Sequence, residues 1–366
     1  MGEERSIVMS QNLEQENLKN EINSFQNNRQ LSLELFAYLM TTDKEDVLTS
    51  LQSAAQTVRK EVFQNKVYIR GLIEFTNYCR NNCYYCGIRR DNANVQRYRL
   101  TKEDILSCCD RGYALGFRTF VLQGGEDLSY SDDKICAIVS AIKDKYSDCA
   151  VTLSIGEKSK ESYKKYFDAG ATRYLLRHET ANEAHYGLLH PKELTLLERK
   201  RCLWDLKEIG YQVGCGFMVG SPYQTIEMLY EDLQFIRELE PHMVGIGPFI
   251  PQKDTPFGNQ KAGTIDATIR LLSILRIMQP TLLLPATTAL GTLEEDGRER
   301  GILAGANVVM PNLSPDFAKE KYCLYDKKIH SGSEAAEGVE LLKQRMKKIG
   351  YEVVTKRGDS PVWKYA

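Results

Sequence analysis

From residue 67 onward the chain alternates short apolar runs with longer amphipathic stretches, and it does so eight times. Runs at 67–75, 119–123, 150–155, 172–176, 212–218, 243–247, 282–285 and 307–310 read as strands. Segments at 101–115, 132–146, 159–169, 191–209, 224–239, 264–278 and 293–304 read as the helices between them. Strands separated by helices pair in parallel through right-handed crossovers rather than through hairpins. Eight such units between residues 67 and 310 match the roughly 250 residues of a closed (β/α)8 TIM barrel. An open, doubly wound sheet is the alternative, and the count of units favours closure.

The flanks complete an α/β barrel with N-terminal helices and a C-terminal tail. The first 30 residues, rich in Gln, Asn and Glu, read as a loosely held helix or frayed arm. A helix follows over 31–40, and Thr42-Asp43-Lys44-Glu45 resembles a capping box opening a second helix that ends near Phe63. The domain boundaries expected are 1–66 for the helical segment, 67–312 for the barrel and 313–366 for an extension covering it. Within that extension, 314–325 should cross the barrel mouth and an amphipathic helix should lie around 334–348.

In such a barrel, chemistry collects at the carboxyl ends of the strands. The first strand runs directly into Cys79-Arg80-Asn81-Asn82-Cys83-Tyr84-Tyr85-Cys86, a C-x3-C-x2-C loop with an aromatic residue before its third cysteine. A 4Fe-4S cluster is normally fixed by four thiolates, so three leave one iron open to an outside ligand. Structural zinc would need a fourth Cys or His close by, and His178 is far downstream. The remaining cysteines, Cys108, Cys109, Cys136, Cys149, Cys202, Cys215 and Cys323, are scattered among apolar patterns and read as small buried hydrophobes. Their spacing offers no disulfide framework, and an oxidation-sensitive cluster suits a reducing cytoplasm.

Other strand ends carry polar groups. Gly124-Gly125-Glu126 follows the second strand, where glycines let backbone approach a ligand and offer carbonyls to an ammonium group. Arg177-His178-Glu179-Thr180 ends the fourth. Glu179 can accept hydrogen bonds from hydroxyls or ammonium, and Arg177 can grip an anion, while His178 reads as a packed or rim residue. Thr287 and Thr288 end the seventh strand, and Thr152 and Ser154 share a face of the third. With Arg173 and Arg177 they suggest a polar pocket for a negatively charged substrate.

The formal net charge of -1, with signs mixed along the chain, gives no electrostatic case for a nucleic-acid partner. No apolar run reaches the ~18 residues of a spanning helix, and the opening lacks a signal-peptide core, so no membrane association is expected. Met1-Gly2-Glu3-Glu4-Arg5-Ser6 matches the myristoylation pattern, which is short enough to arise by chance.

The cysteine loop, the glycine turn and the eight-unit barrel together resemble the radical S-adenosylmethionine (SAM) superfamily. Within it, from about residue 31 to residue 348, the chain is similar to the FeFe-hydrogenase maturases of the HydE family. That closer likeness rests on Cys79 through Asn92, Leu122-Gln123-Gly124-Gly125-Glu126-Asp127, Tyr174-Leu175-Leu176-Arg177-His178-Glu179-Thr180, Met243 through Pro251 and Leu284-Pro285-Ala286-Thr287-Thr288-Ala289. The resemblance implies two cofactors, a 4Fe-4S cluster and SAM. The open iron would chelate SAM, and one electron would cleave it to methionine and a 5′-deoxyadenosyl radical. Cys79, Cys83 and Cys86 would hold the cluster. Gly124, with its neighbour Gly125, and Glu179 and Arg199 would lie against SAM, Arg199 toward its carboxylate, with Tyr85 and Ile250 flanking the adenine. Arg177, Thr287, Thr288 and Tyr325 would line the substrate cavity.

Implied partners are a small-molecule or iron-bound cysteine substrate, an electron donor and other hydrogenase maturases that build the two-iron subcluster. Two departures from the family pattern stand out. Many relatives have Ser where Gly124 stands, and some carry a second cluster on C-terminal cysteines. Here the tail offers Cys323 and nearby His330, with no later cysteine, so no second cluster is expected. Biotin synthase and methylornithine synthase are the rival enzymes; Cys149 and Cys215 lie on strands, but their flanks differ from those of biotin synthase. A barrel with a purely structural cluster would close its coordination with a fourth ligand, which this loop lacks.

Overall fold

The structure, a computed structural model, describes residues 20–329 and 338–364. The amino-terminal myristoylation match, the start of the proposed arm, His330 and the first residues of the 334–348 helix lie outside them. The strands are β1 (Lys66–Ile69), β2 (Gly71–Thr76), β3 (Thr119–Gly124), β4 (Ala150–Ser154), β5 (Ala171–Leu175), β6 (Gln212–Cys215), β7 (Met218–Val219), β8 (Met243–Val244), β9 (Gly247–Pro248), β10 (Val308–Val309) and β11 (Glu352–Val354).

β2, β3, β4, β5, β6 and β8 pair in that order, all in parallel. Single bridges carry the ring onward, Met243 to Leu283 and then Pro285 to Val308; β10 pairs with β1, and Leu72 meets Asn312. The expected eight-strand barrel therefore closes. Its seventh member, near 282–285, makes only these bridges, in keeping with Pro285, which has no N–H to donate.

Three predicted strands split, each for a physical reason. The first breaks at Arg70 because its neighbour changes there: Lys66 to Tyr68 pair with β11, and from Gly71 the partner is β3. The fifth breaks at Gly216, where a Cβ would stand 2.0 Å from the Gly245 carbonyl oxygen, so only glycine admits the adjoining strand. The sixth is interrupted beside it, between β8 and β9.

The helices sit where Ser or Thr can cap them. Thr101, Ser131, Ser159, Thr195, Thr225 and Thr264 each accept the N–H three residues on. The 42–45 capping box does not form: Thr42 ends the preceding helix, its N–H on the Tyr38 carbonyl, and its hydroxyl accepts only Lys44 N–H at 3.2 Å. The single helix expected at 293–304 is instead Thr288–Leu293 and Gly297–Leu303, separated by Glu294-Glu295-Asp296. The helix expected at 191–209 starts only at Leu196, capped by Thr195, and a separate short helix, Glu183–Leu189, precedes it.

The N-terminal helices Leu33–Thr41 and Glu45–Phe63 are stapled to the barrel. Buried Arg59 donates to the carbonyls of Ala306, Gln64 and Lys66 at 2.8–2.9 Å. The C-terminal extension reaches both ends of the barrel, not the mouth alone. Helix Asp316–Lys321 and the residues after it cross the mouth, where Leu324 O accepts Gly87 N–H at 2.9 Å. After helix Val339–Lys348, β11 leads a tail under the amino ends of the strands. Asp359 there binds Arg173 and Gln212, each at 2.7 Å. Arg173 therefore does not join Arg177 in a substrate pocket; it belongs to the opposite end.

Of the scattered cysteines, Cys108, Cys109, Cys149, Cys202 and Cys215 are buried as read, Cys136 is half-buried and Cys323 is exposed. No helix among the described residues is long and apolar enough to cross a membrane.

Candidate functional site

The cysteine loop leaves β2 at the carboxyl end of the barrel and is irregular, so its carbonyls need partners from elsewhere. Arg97 supplies them: its guanidinium donates to the carbonyls of Asn77, Ile88 (2.8 Å), Arg89 (2.6 Å) and Asn92 (3.2 Å). Asn77, fully buried, ties the loop to Gln96 O and to Lys321 O of the extension, both at 2.9 Å. On the other side Glu126 binds Arg80 Nε at 2.9 Å and Glu157 N–H at 2.9 Å. A Cβ on Gly125 would stand 2.3 Å from Tyr78 O and 2.7 Å from Cys79 Cβ, and one on Gly124 2.7 Å from Thr76 Cγ2. Gly125 is thus required by the close approach of the cysteine-loop backbone, whereas at Gly124 it is the Thr76 side chain that crowds the site.

Burial pushes the thiols of Cys79, Cys83 and Cys86 up, that of Cys86 to about 12. Neighbouring cysteines push Cys83 and Cys86 further in the same direction, while Arg97 opposes the rise at Cys79 and Cys86 and Arg199 opposes it at Cys83. Among the described residues no three Cys, His, Asp or Glu groups focus on one ion position. Three thiols on one loop, each able to hold its own iron, are the donors a 4Fe-4S cluster takes.

Beside the thiols lies a carboxylate whose buried oxygen accepts no hydrogen bond among the described residues. Glu179 is 8% exposed, its Oε2 is buried without a hydrogen-bond partner, and its charge raises the Cys86 and Tyr85 pKa values. Arg177 Nε, 3.7 Å away, is likewise buried and unpartnered, while Arg177 Nη2 donates to Phe217 O. A buried acceptor with nothing to accept is costly unless a ligand brings the donors. Arg199 donates through Nε to Glu157 and through Nη1 to Arg177 O at 2.6 Å, leaving Nη2 without a protein partner among the described residues. These orphan groups next to the cysteines fit a cofactor with hydroxyl, ammonium and carboxylate functions.

An aromatic wall closes the side. Tyr85 packs with Leu189, Met218, Phe249 and Phe257, next to half-buried Ile250. Its hydroxyl donates to His190 Nε2 at 3.1 Å, because His190 Nδ1–H is committed to Tyr186 O. Burial lowers the His190 pKa to about 3, so the ring is neutral.

Deeper in the barrel, Thr287 Oγ1 and Thr152 Oγ1 are buried without partners, and Thr288 begins a helix directly after Thr287. Two residues that the sequence reading passed over lie here. Glu74, fully buried on β2, pairs with Lys328 of the extension and accepts Asn312 Nδ2 at 2.8 Å. Tyr322 is buried with its hydroxyl near Gln123, whereas Tyr325 stays half-buried on the rim, lining a cleft of about 620 Å³ with Asn94, Gln252 and Asp254. A carboxylate inside the apolar run Leu72-Ile73-Glu74-Phe75 was the available signal for Glu74. Arg97 and Glu157 had none, since they act on main-chain atoms and on another side chain with no fixed sequence spacing.

Comparison with known proteins places this arrangement among relatives. A family model described as the radical SAM superfamily matches residues 73–236. The FeFe hydrogenase maturase subunit HydE of Thermotoga maritima is 44% identical over 301 residues, 82% of this chain and 86% of the relative. The 3-methylornithine synthase of Methanosarcina acetivorans is 29% identical over 300 residues, 81% and 84% of the two chains. Among solved structures, methylornithine synthase (PylB) superposes with a TM-score of 0.80 at 26% identity, covering 91% of this chain and 96% of that one.

Proposed function

The chain belongs to the radical SAM superfamily and, within it, to the family of the FeFe hydrogenase maturase HydE, and on that footing we propose that it acts in assembling the two-iron subcluster of FeFe hydrogenase. It is an enzyme, and its cofactors are a 4Fe-4S cluster and SAM. Bound together, they supply one-electron cleavage of the SAM sulfonium to methionine and a 5′-deoxyadenosyl radical. The observation that carries the maturase reading is 44% identity to HydE running through 86% of that relative, cysteine loop and barrel included.

In this reading Cys79, Cys83 and Cys86 hold the cluster on a loop kept rigid by Arg97, Asn77 and Glu126. Glu179, with its unfilled Oε2, and Arg199, with its free Nη2, take the donors and the carboxylate of SAM. The Gly124-Gly125 backbone lies alongside, and Tyr85 and Ile250 flank the adenine. The wall around Tyr85 and neutral His190 keeps water from the reacting carbon. Arg177, Thr287, Thr288 and, from the rim, Tyr325 face the substrate, a small molecule or an iron-bound cysteine. Glu74 and Lys328 add a buried ion pair where the extension crosses the mouth. The substrate reading draws on buried polar atoms that make no hydrogen bond among the described residues, Arg177 Nε, which faces Glu179 Oε2 at 3.7 Å, and Thr287 Oγ1. An electron donor and other maturases are the proposed partners, and the free cysteines support a reducing cytoplasm as its place of action.

A hydrogenase maturation assay lacking its HydE component tests this. Adding the protein restores hydrogenase activity, and Cys83→Ala abolishes the effect. The likeness to methylornithine synthase supplies the contrary outcome: conversion of lysine to methylornithine with no maturation activity would overturn the assignment.

A further inference from the structure

Glu179 is a non-glycine residue at φ +65°, in the left-handed region that side chains rarely enter. Such a conformation persists only when its surroundings over-determine it. The contacts that do so come from outside the strand end. Its own N–H donates to Gly216 O at 3.0 Å. On the preceding residue, His178, the ring is fully buried, and its Nδ1 accepts Gly216 N–H at 3.3 Å. This commits Nε2–H to Asp232 Oδ1 at 3.2 Å, and the same oxygen accepts Ala181 N–H at 2.5 Å. Asp232, from helix Ile226–Leu239, is also fully buried. One oxygen therefore gathers residues 178 and 181, and Glu179 and Thr180 bow out between them. Thr180 is pinned in turn, its hydroxyl on His185 Nδ1 at 3.0 Å, with His185 Nε2–H donating to Pro222 O.

We infer that His178 and Asp232 are positioning residues for SAM: touching no ligand themselves, they hold the Glu179 backbone in the one conformation that presents its carboxylate beside the cysteine loop. This rests on the reading of Glu179 as a SAM contact. Burial lowers the His178 pKa to about 3, so the imidazole is neutral, and burial also raises that of Asp232. The contacts of Asp232 to this segment all run through one acceptor oxygen, Oδ1. Asn at 232 keeps that oxygen, and Leu, of similar size, does not.

The test measures SAM dissociation constants by equilibrium dialysis with the reconstituted protein, together with amide hydrogen exchange over residues 177–182. Asp232→Leu weakens SAM binding about tenfold, or about 1.4 kcal/mol, and speeds exchange in that segment at unchanged iron content; Asp232→Asn restores both. Should Asp232→Leu fail to fold, His178→Asn, whose amide oxygen can still accept Gly216 N–H but falls short of Asp232, carries the same expectation. Glu179→Gln separates the two levels of the argument. If it leaves SAM binding intact, the SAM role of Glu179 fails. If it weakens binding while folded Asp232→Leu or His178→Asn binds SAM as the unaltered protein does, the positioning role fails.

Discussion

Arg97 shows most clearly what a single residue does here. Its planar fork reaches four carbonyls of the cysteine loop, an arrangement that lysine, a single point donor, cannot reproduce. Removing it leaves partly buried carbonyls short of a donor, at a cost of up to about 1–3 kcal/mol each. The loss falls on a loop outside the regular barrel, so the fold should survive and the loop should not. Arg97→Ala, and Arg97→Lys nearly as much, is expected to at least roughly halve iron and sulfide bound after anaerobic reconstitution while far-ultraviolet circular dichroism is retained; full iron content in Arg97→Ala would refute this. The cysteines themselves were legible because metal geometry fixes their spacing. The groups that hold them were not, because a guanidinium bonded to main-chain carbonyls obeys no sequence interval. Tyr325 illustrates a second limit. The family resemblance implied a place for Tyr325 on the substrate cavity, and the chain turns so that Tyr322 goes inward while Tyr325 stays half-buried at the rim.

At the level of elements, apolar runs and amphipathic periods located most helices and all eight barrel strands, because they are local signals. What they could not reveal is how an element ends when a distant segment becomes its partner. The first strand reads as one apolar run but serves two neighbours, β11 below Arg70 and β3 above it. β11 itself, three residues long, is too short for any periodicity to announce. The tail it begins carries Asp359 to Arg173, whose side chain is fully buried. Burial works to raise the Asp359 pKa, but Arg173, Arg357 and Gln212 outweigh it, and the carboxyl lies well below its ordinary range. A depressed carboxyl contributes stability that is present above its unfolded pKa of about 3.9 and is lost as pH falls toward the folded value. Asp359→Asn should therefore lower stability by about 2 kcal/mol near pH 7, and the gap in Tm between variant and parent should narrow below about pH 4. An equal gap at pH 3 and pH 7 would count against the ion pair.

The whole molecule joins a rigid ring to two covers made from one extension. The ring was readable from the alternation alone, since eight βα units of this length have few ways to bury both faces of a parallel sheet. The cover over the mouth was expected at 314–325; the second, under the amino ends, was not, because 352–364 is held by hydrogen bonds to strand-end atoms rather than by a long apolar pattern. Between the covers, the cysteine loop, Glu179 and Arg199 stand over a polar interior reached from the carboxyl ends of the strands. The central claim is that this end of the barrel binds SAM at an iron left open by three cysteines and cleaves it reductively. Paramagnetic resonance of the reduced, reconstituted protein with and without SAM, followed by chromatography for 5′-deoxyadenosine, tests it most directly. SAM should alter the reduced cluster's signal, and 5′-deoxyadenosine should accumulate with a strong reductant; an unchanged signal and no 5′-deoxyadenosine from fully loaded protein would contradict the account.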